Sequence, residues 1–141
     1  MAHEDLMNDL DRRRENAQAM GGQEKLERRR QRGSLNAAER INALVDADSF
    51  IEVGLLGAAS GGSLDPAKTP RDGKITGFAK IDGRDAGVCV NDFTVKGAST
   101  GATNSKKLGH IRKVAMERGI PFVHIGESTG ARLPDAMGSR G

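Results

Sequence analysis

The spacing of apolar residues changes near residue 47, from a helical to a strand-like pattern. Before that point Leu6, Leu10 and Ala17 form a weak helical stripe, which Gly21 and Gly22 interrupt. Apolar residues that recur every three or four positions are typical of an amphipathic helix. The pattern therefore predicts a first helix that ends before the two glycines.

Two further helices are predicted in this N-terminal region. The first occupies about residues 23–31, and Gly33 is placed to terminate it. The second has the clearest start signal in the chain, because Asn36 can cap it and Glu39 follows three positions later, a variant of the capping box. One face of this helix then contains Ile41, Leu44 and Val45.

After residue 47 the pattern predicts strands. A short strand is expected at about 49–53, and residues 54–72, rich in Gly, Ala, Ser and Pro, predict a mobile loop. Residues 74–81 and 84–90 flank an Asp-Gly pair at 82–83, the dipeptide of a type I′ turn. The sequence therefore predicts a β-hairpin here.

A helix and a last strand complete the pattern. Residues 91–104 form a connection rich in Gly, Ser and Thr, and residues 105–118 predict an amphipathic helix that ends at Gly119. Residues 120–125 are mostly apolar and have the length of a buried strand. The order strand, strand, helix, strand indicates an α/β fold.

The composition limits how large a core the chain can bury. Of its 141 residues, 36% are apolar, 3% aromatic and 29% charged, and there are 19 glycines but no Trp or Tyr. This suits a piece of a larger assembly better than an independent domain.

The charges of the N-terminal region nearly balance. The chain has a net charge of +3, but before residue 45 its Arg and Lys residues are matched by almost as many Asp and Glu. A nucleic-acid surface would present unopposed cations, so the pattern favours solvated, salt-bridged helices. A basic rim that attracts an anionic ligand is the second interpretation.

The single cysteine, Cys89, excludes a disulfide framework and a Cys-rich metal site. It lies in an apolar alternation, which predicts a buried thiol. The N-terminus is charged and lacks the apolar stretch of a signal peptide, and no apolar run reaches membrane-spanning length. We expect a soluble, cytoplasmic protein, with the mitochondrial matrix as an alternative.

Residues 126–130 read G-x-S-x-G directly after the last predicted strand. This is the nucleophile elbow of serine hydrolases, in which a histidine base follows the serine. No histidine follows Ser128, and His124 lies on the preceding strand. The hydrolase mechanism is therefore disfavoured. In a second interpretation the small residues let backbone N–H groups hold an oxyanion.

A second glycine-rich turn could offer similar chemistry. It contains Gly97, Ala98, Ser99 and Gly101 and precedes the long predicted helix, whose N-terminus favours anions. It is not a Walker A loop, because the spacing to the lysines at 106 and 107 is wrong. The two turns could each supply one N–H group to a single carbonyl oxygen. Ordinary surface loops are the alternative for each turn.

Several of these stretches, taken in order, resemble one known family. They are MGGQEKL at 20–26, RGSLNAAERI at 32–41, DGKITG at 72–77, NDFTVKGAS at 91–99 and STGAR at 128–132. Together they resemble the carboxyltransferase β subunits of biotin-dependent acyl-CoA carboxylases, of the propionyl-, methylcrotonyl- and acetyl-CoA types.

The resemblance implies a crotonase-like α/β fold. Residues 1–47 would be an N-terminal helical segment, and residues 48–141 the first part of the N-terminal carboxyltransferase domain. Such subunits move a carboxyl group from carboxybiotin to the α-carbon of an acyl-CoA. Biotin would come from a biotin carboxylase or biotin carrier partner, this chain would bind no metal, and the protein would form homo-oligomers.

The resemblance also implies a site. The backbone N–H groups of Ala98 and Gly130 would form an oxyanion hole for the enolate, with Ala131 as a neighbouring contributor. One preorganised donor of this kind is typically worth ~3 kcal/mol of barrier.

Four more residues would contact the substrate by this resemblance: Gly97, Ser99, Lys107 and Arg132. For Arg132 we favour a role in anchoring the loop. For Lys107, contact with an anionic part of CoA and anchoring are equally open.

The sequence departs from the family pattern at two positions of the second turn and in length. Thr129 replaces a usual Gly, and β-branched residues resist positive φ, so the turn must change conformation or the hole is altered. Glu127 replaces an Asp. The family subunits are several times longer, so on its own we expect this chain to have low stability, exposed strand edges and no turnover. A CoA-thioester decarboxylase of the same superfamily and a non-catalytic assembly fragment therefore remain as alternatives.

Overall fold

Four strands form one mixed sheet that has helices on both sides. The computed structural model describes residues 2–60 and 64–136. The elements in chain order are α1 (Ala2–Gln18), α2 (Gln23–Gln31), α3 (Ala37–Leu44), β1 (Ile51–Glu52), β2 (Lys74–Ile81), β3 (Arg84–Asn91), α4 (Ala102–Arg118), β4 (Phe122–Ile125) and α5 (Leu133–Ala136). The strand order is β1-β2-β3-β4, antiparallel except that β4 runs parallel to β3.

The three predicted N-terminal helices are present. At the start of α3, the Asn36 side chain accepts from the Glu39 N–H at 2.9 Å, and the Glu39 carboxylate accepts from the Asn36 N–H at 2.8 Å. The predicted capping box is therefore confirmed. On α1, Asp9 pairs with Arg12 and Arg13 at distances of 2.5 and 2.7 Å. These exposed pairs agree with the interpretation of a salt-bridged helical face.

The N-terminal helices share a hydrophobic cluster with the sheet. Met20 and Ile41 pack in one cluster with Ile75 of β2 and with Val88 and Val90 of β3. The opposite face of β3 lies under α4, where Ile111 is buried. Covering the sheet on both faces explains why successive residues of β3, including Cys89, are buried. The predicted buried thiol is thus confirmed, and burial raises its pKa to about 11.

The β2–β3 connection is the predicted hairpin turn. Asp82 and Gly83 have φ values of 48° and 75°, as a type I′ turn requires. Their N–H groups donate to the carboxylate of Asp46 at 2.9 and 2.8 Å. Asp46, two residues after the end of α3, therefore fixes the tip of the hairpin.

Two predicted elements were wrong in part. Helix α4 begins at Ala102, three residues earlier than predicted, because the Asn104 side chain accepts from the Gly101 N–H at 3.0 Å. The predicted buried strand at 120–125 is the shorter β4, whose residues are half-buried or exposed. Its outer edge has no strand partner within the described residues, so solvent reaches it.

The predicted mobile loop at 54–72 is ordered at its end. Two short 3₁₀ turns, Pro66–Lys68 and Pro70–Gly73, occupy that region. Thr69 and Asp72 are fully buried there. No helix within residues 2–60 and 64–136 is long and apolar enough to cross a membrane.

Candidate functional site

The two glycine-rich turns lie side by side. Residues 96–101, the first turn, follow β3, and residues 126–131, the second turn, follow β4. Because β3 and β4 are parallel neighbours, their carboxyl ends lie at the same edge of the sheet. In α/β proteins this edge is the usual location of a binding site.

Backbone hydrogen bonds join the two turns directly. The Thr129 N–H donates to the Gly97 carbonyl at 2.9 Å, and the Thr100 N–H donates to the Gly130 carbonyl at 2.8 Å. The Arg132 N–H donates to the Thr100 carbonyl at 2.7 Å. The structure therefore brings together the two turns that the sequence singled out.

The first turn has an unusual backbone. Lys96, Gly97 and Ala98 all have positive φ, at 49°, 60° and 50°. Non-glycine residues in this conformation cost energy, so the surrounding contacts must hold them in place. Ala98 is fully buried, and its N–H donates to the Val95 carbonyl at 2.9 Å.

The second turn accommodates Thr129 without strain at that residue. Gly130 takes the positive φ, at 112°, whereas Thr129 is not among the positive-φ residues of the described chain. The Ser128 hydroxyl donates to the Ala98 carbonyl at 3.0 Å and accepts from the Gly130 N–H at 3.1 Å. The hydroxyl is thus used to join the turns.

The hydrolase interpretation gains no support from the geometry. The His124 ring contacts the Asn91 side chain, with Nε2 and Oδ1 3.1 Å apart. Because Asn91 Nδ2 donates to the Glu127 carbonyl, at 3.1 Å, its Oδ1 is the acceptor and Nε2 of His124 is the donor. Within the described residues Ser128 has no histidine partner.

The predicted oxyanion donors differ in how their N–H groups are used. Those of Ala98 and Gly130 donate within the turns, to Val95 and Ser128 respectively. The N–H of Ala131 has no acceptor in the part of the chain that the structure describes. Of the three residues, Ala131 thus has the N–H that a ligand could reach without displacing a protein contact.

Arg132 extends from the second turn into a buried polar base beneath the first. Its side chain is 5% exposed, and its Nη1 lies 2.8 Å from Oδ1 of the fully buried Asp72. This contact is an ion pair without hydrogen-bond geometry. Arg132 donates hydrogen bonds to the hydroxyl and the carbonyl of Ser99, each at 3.3 Å. In this structure Arg132 therefore holds the first turn, while a contact with substrate stays a prediction.

Asn104 completes this base. Its Nδ2 donates to the carbonyls of Asp72 and Ser99 at 2.9 Å each, and its own N–H donates to Asp72 Oδ2 at 2.9 Å. The sequence reasoning missed Asn104 and Asp72. The available signal was an Asn three residues after Gly101, where its side chain can accept from the N–H at a helix start.

Lys107 points toward backbone carbonyls. Its Nζ donates to the carbonyls of Arg71 and Lys74 at 2.8 and 2.5 Å. Burial lowers the pKa of Lys107 to about 8. The neighbouring Arg71 forms a two-pronged pair with Glu52, with both distances 2.8 Å. The structure shows Lys107 supporting the segment before β2, and a role in CoA binding stays a prediction.

Glu127 connects the second turn to the N-terminal helices. Its carboxylate accepts from Arg29 of α2 at 3.0 and 2.8 Å and from Arg40 of α3 at 2.9 Å. The hydrogen bonds from Arg29 are the main cause of the lowered pKa of Glu127. The guanidinium of Arg29 also lies 5.9 Å from the ring centroid of Phe93. The sequence marked Glu127 only as a departure from a family pattern.

Potential metal ligands do not cluster in the part of the chain that the structure describes. Within residues 2–60 and 64–136 no group of three or more His, Cys, Asp or Glu side chains could hold a metal ion.

Comparisons with known proteins agree on one family. The model of the carboxyl transferase domain matches residues 28–140. The chain is 34% identical over 135 residues to a biotin-dependent acetyl-/propionyl-coenzyme A carboxylase beta5 subunit of Mycobacterium tuberculosis, covering 94% of this chain and 25% of that protein. It is 33% identical over 121 residues to a methylmalonyl-CoA decarboxylase subunit alpha of Veillonella parvula, covering 84% and 24%.

A solved structure shows the same fold. It is the hexameric transcarboxylase 12S with methylmalonyl-coenzyme A and methylmalonic acid bound, which superposes with a TM-score of 0.84 at 34% identity. The match covers 95% of this chain and 27% of that one. The chain thus spans about a quarter of the length of the proteins that it matches.

Proposed function

The chain belongs to the carboxyl transferase domain family and has its crotonase-like α/β fold, and we propose that it binds the acyl-CoA substrate of a carboxyltransferase. The observation that carries the proposal is the meeting of two glycine-rich turns at the carboxyl ends of parallel strands β3 and β4. Small residues in both turns give a thioester carbonyl access to backbone N–H groups.

The reaction explains what the turns would do. Carboxybiotin, held by a partner chain or domain, would supply the carboxyl group. That group would leave the ureido nitrogen of biotin for the α-carbon of the thioester, and the proton lost from the α-carbon would pass to that nitrogen. The electrons of the broken C–H bond pass to the thioester oxygen as an enolate. Fixed N–H donors near that oxygen stabilise the charge without reorganising.

We assign the donors to Ala98, Gly130 and Ala131. Ala131 donates directly, because its N–H has no acceptor within the described residues. The N–H groups of Ala98 and Gly130 would exchange or share their internal acceptors when the thioester oxygen enters. Catalytic hydrogen bonds often tighten only in the complex with substrate.

The remaining predicted residues divide into two groups. Gly97 and Ser99 are half-buried beside the place where the turns meet, and we propose that they contact the thioester. We propose that Arg132 holds the first turn from below, because its guanidinium pairs with a buried carboxylate. Lys107 is proposed to hold the segment before β2, whose carbonyls it binds. Biotin on a partner chain or domain and a homo-oligomeric assembly belong to the same proposal.

Binding of CoA thioesters tests the proposal. We expect acetyl-CoA to shift the amide NMR signals of residues 97–99 and 130–132 in the ¹⁵N-labelled 141-residue chain, with a dissociation constant in the micromolar range. Arg84 at the far end of the β2–β3 hairpin should not shift. If no CoA compound binds, or if the shifts occur only elsewhere, the proposal is wrong.

A methylmalonyl-CoA decarboxylase is the second candidate, because the Veillonella relative has that name. The two functions differ in the acceptor of the carboxyl group. A decarboxylase partner removes CO₂ from a biotinylated carrier, whereas a carboxylase partner loads it. The direction in which the natural complex changes the carboxybiotin content of its carrier distinguishes them.

A further inference from the structure

We infer that Thr129 is a specificity-determining residue, whose methyl group limits the substituent on the α-carbon of the bound thioester and so favours acetyl-CoA over propionyl-CoA. The inference rests on the proposed function. It concerns a residue at which the sequence departs from the pattern that it resembles.

The side chain of Thr129 lies directly over Gly97. A Cβ atom placed on Gly97 would be 2.6 Å from Cγ2 and 2.8 Å from Oγ1 of Thr129. Real Cβ atoms do not approach other heavy atoms so closely, so the space above Gly97 is filled. The side chain of Thr129, in the second turn, thus packs directly against Gly97 of the first turn.

The orientation of this side chain is fixed. Its N–H donates to the Gly97 carbonyl at 2.9 Å, and its hydroxyl points to the same oxygen at 3.3 Å. With the hydroxyl held there, the methyl group must occupy the position close to Gly97. A β-branched side chain has few other rotamers, so the methyl cannot easily move aside for a ligand.

The position of the methyl group matters for the thioester. If each turn donates an N–H to one carbonyl oxygen, the carbon atoms attached to that carbonyl must lie beside the place where the two turns meet. An acetyl group has only hydrogens on its α-carbon, whereas a propionyl group adds a methyl. In a packed site, one methyl or methylene group typically changes affinity about 10- to 200-fold.

The contact has no evident role in the hydrophobic core. Thr129 is exposed to solvent and lies outside the cluster that joins the helices to the sheet. Its hydrogen bond to Gly97 through the main chain would survive replacement of the side chain. Substitutions at this position should therefore change the shape of the site more than the stability of the fold.

Three substitutions separate the methyl group from the hydroxyl. Thr129→Val keeps the volume and loses the hydroxyl, Thr129→Ser keeps the hydroxyl and loses the methyl, and Thr129→Gly loses both. Isothermal titration calorimetry would give dissociation constants for acetyl-CoA, propionyl-CoA and free CoA with each protein. The melting temperature of each variant shows whether it remains folded.

We expect the natural chain and Thr129→Val to bind acetyl-CoA at least about 10-fold more tightly than propionyl-CoA. In Thr129→Ser and Thr129→Gly this ratio should fall toward one, while the affinity for free CoA stays the same. An equal affinity of the natural chain for both thioesters, or the same ratio in all four proteins, would overturn the inference alone. If neither thioester nor free CoA binds any of them, the proposed function falls, and this inference falls with it.

Discussion

The two turns meet at one place but are held there by different means. The first turn rests on a buried base in which Asp72 and Asn104 are fully buried and Arg132 nearly so. The second turn has exposed residues at 128–130 and is attached to the helices through Glu127, whose side chain is 32% exposed.

The first turn is therefore the preorganised half of the site, and the second turn is the adjustable half. Removing one partner of a buried ion pair typically costs about 3–5 kcal/mol, because the remaining charge is left without compensation. Exposed ion pairs contribute about 0–1 kcal/mol. We therefore expect the first turn to keep its geometry under conditions in which the second can move. Three substitutions, given in order of decreasing expected loss of stability, test this comparison.

Replacing Arg132 should have the largest effect. Arg132→Met leaves the carboxylate of Asp72 buried without its charge partner, and we expect the free energy of unfolding to fall by about 3–5 kcal/mol in urea titrations. Lys80→Ala is the control, because Lys80 pairs with Asp85 at 2.7 Å with both side chains more than half exposed. Equal losses in the two variants would show that burial does not distinguish the anchors.

Lys107, which supports the segment before β2, makes the stability of the fold depend on pH in the alkaline range. Its folded pKa of about 8 lies below the unfolded value of 10.5, so above pH 8 the unfolded chain binds more protons than the folded one. Stability should therefore rise with pH in this range, by up to about 1 kcal/mol between pH 8 and 9. Above pH 9 the raised pKa of Cys89 acts in the opposite direction.

The substitution Lys107→Met should reduce this rise, leaving the smaller contribution of Lys74, whose pKa burial also lowers. Lys113→Met, on the exposed face of the same helix, should leave the rise unchanged. Unfolding free energies measured in urea at several pH values between about 7.5 and 9 provide the comparison. An identical slope in the natural chain and in Lys107→Met would contradict the assignment.

Glu127 should give the smallest effect, because its partners are nearer the surface. We expect Glu127→Gln to destabilise the chain by at most about 1 kcal/mol at neutral pH. Since the folded pKa of Glu127 lies below its unfolded value of 4.5, its contribution is present above that pH and is lost as the pH falls through the folded pKa. The natural chain and the variant should thus converge in acid.

Glu24→Gln serves as a matched control, since Glu24 also pairs with an arginine, Arg28, but is 78% exposed. Convergence of the two stabilities at low pH is the feature to look for in thermal unfolding. A loss for Glu127→Gln as large as that for Arg132→Met would remove the distinction between the two turns.

The sequence predicted the local elements better than the contacts between them. The capping box at Asn36 and the hairpin turn at residues 82–83 depend on residues that are close in the chain. Their local sequence was therefore enough to predict them. The same holds for the placement of two glycine-rich turns after strands.

Contacts between distant residues could not be read in this way. Arg132 meets Asp72 across 60 positions, and no periodicity links them (132 − 72 = 60). The exposure of β4 depends on what lies beside the sheet, so an apolar run alone led to the wrong prediction of a buried strand. Glu127 and its arginines were likewise visible only as single residues, because their meeting requires the helices to fold back on the sheet.

The stacking of Arg29 against Phe93 offers a practical handle on the second turn. The chain contains no Trp and no Tyr, so a tryptophan in place of the 38%-exposed Phe93 would be its only strongly fluorescent residue. Arg29 contacts both Glu127 and the aromatic ring at position 93. A displacement of Glu127 should therefore change the surroundings of the indole introduced there. Emission from that single position would report whether a ligand displaces the second turn, without a label on the ligand.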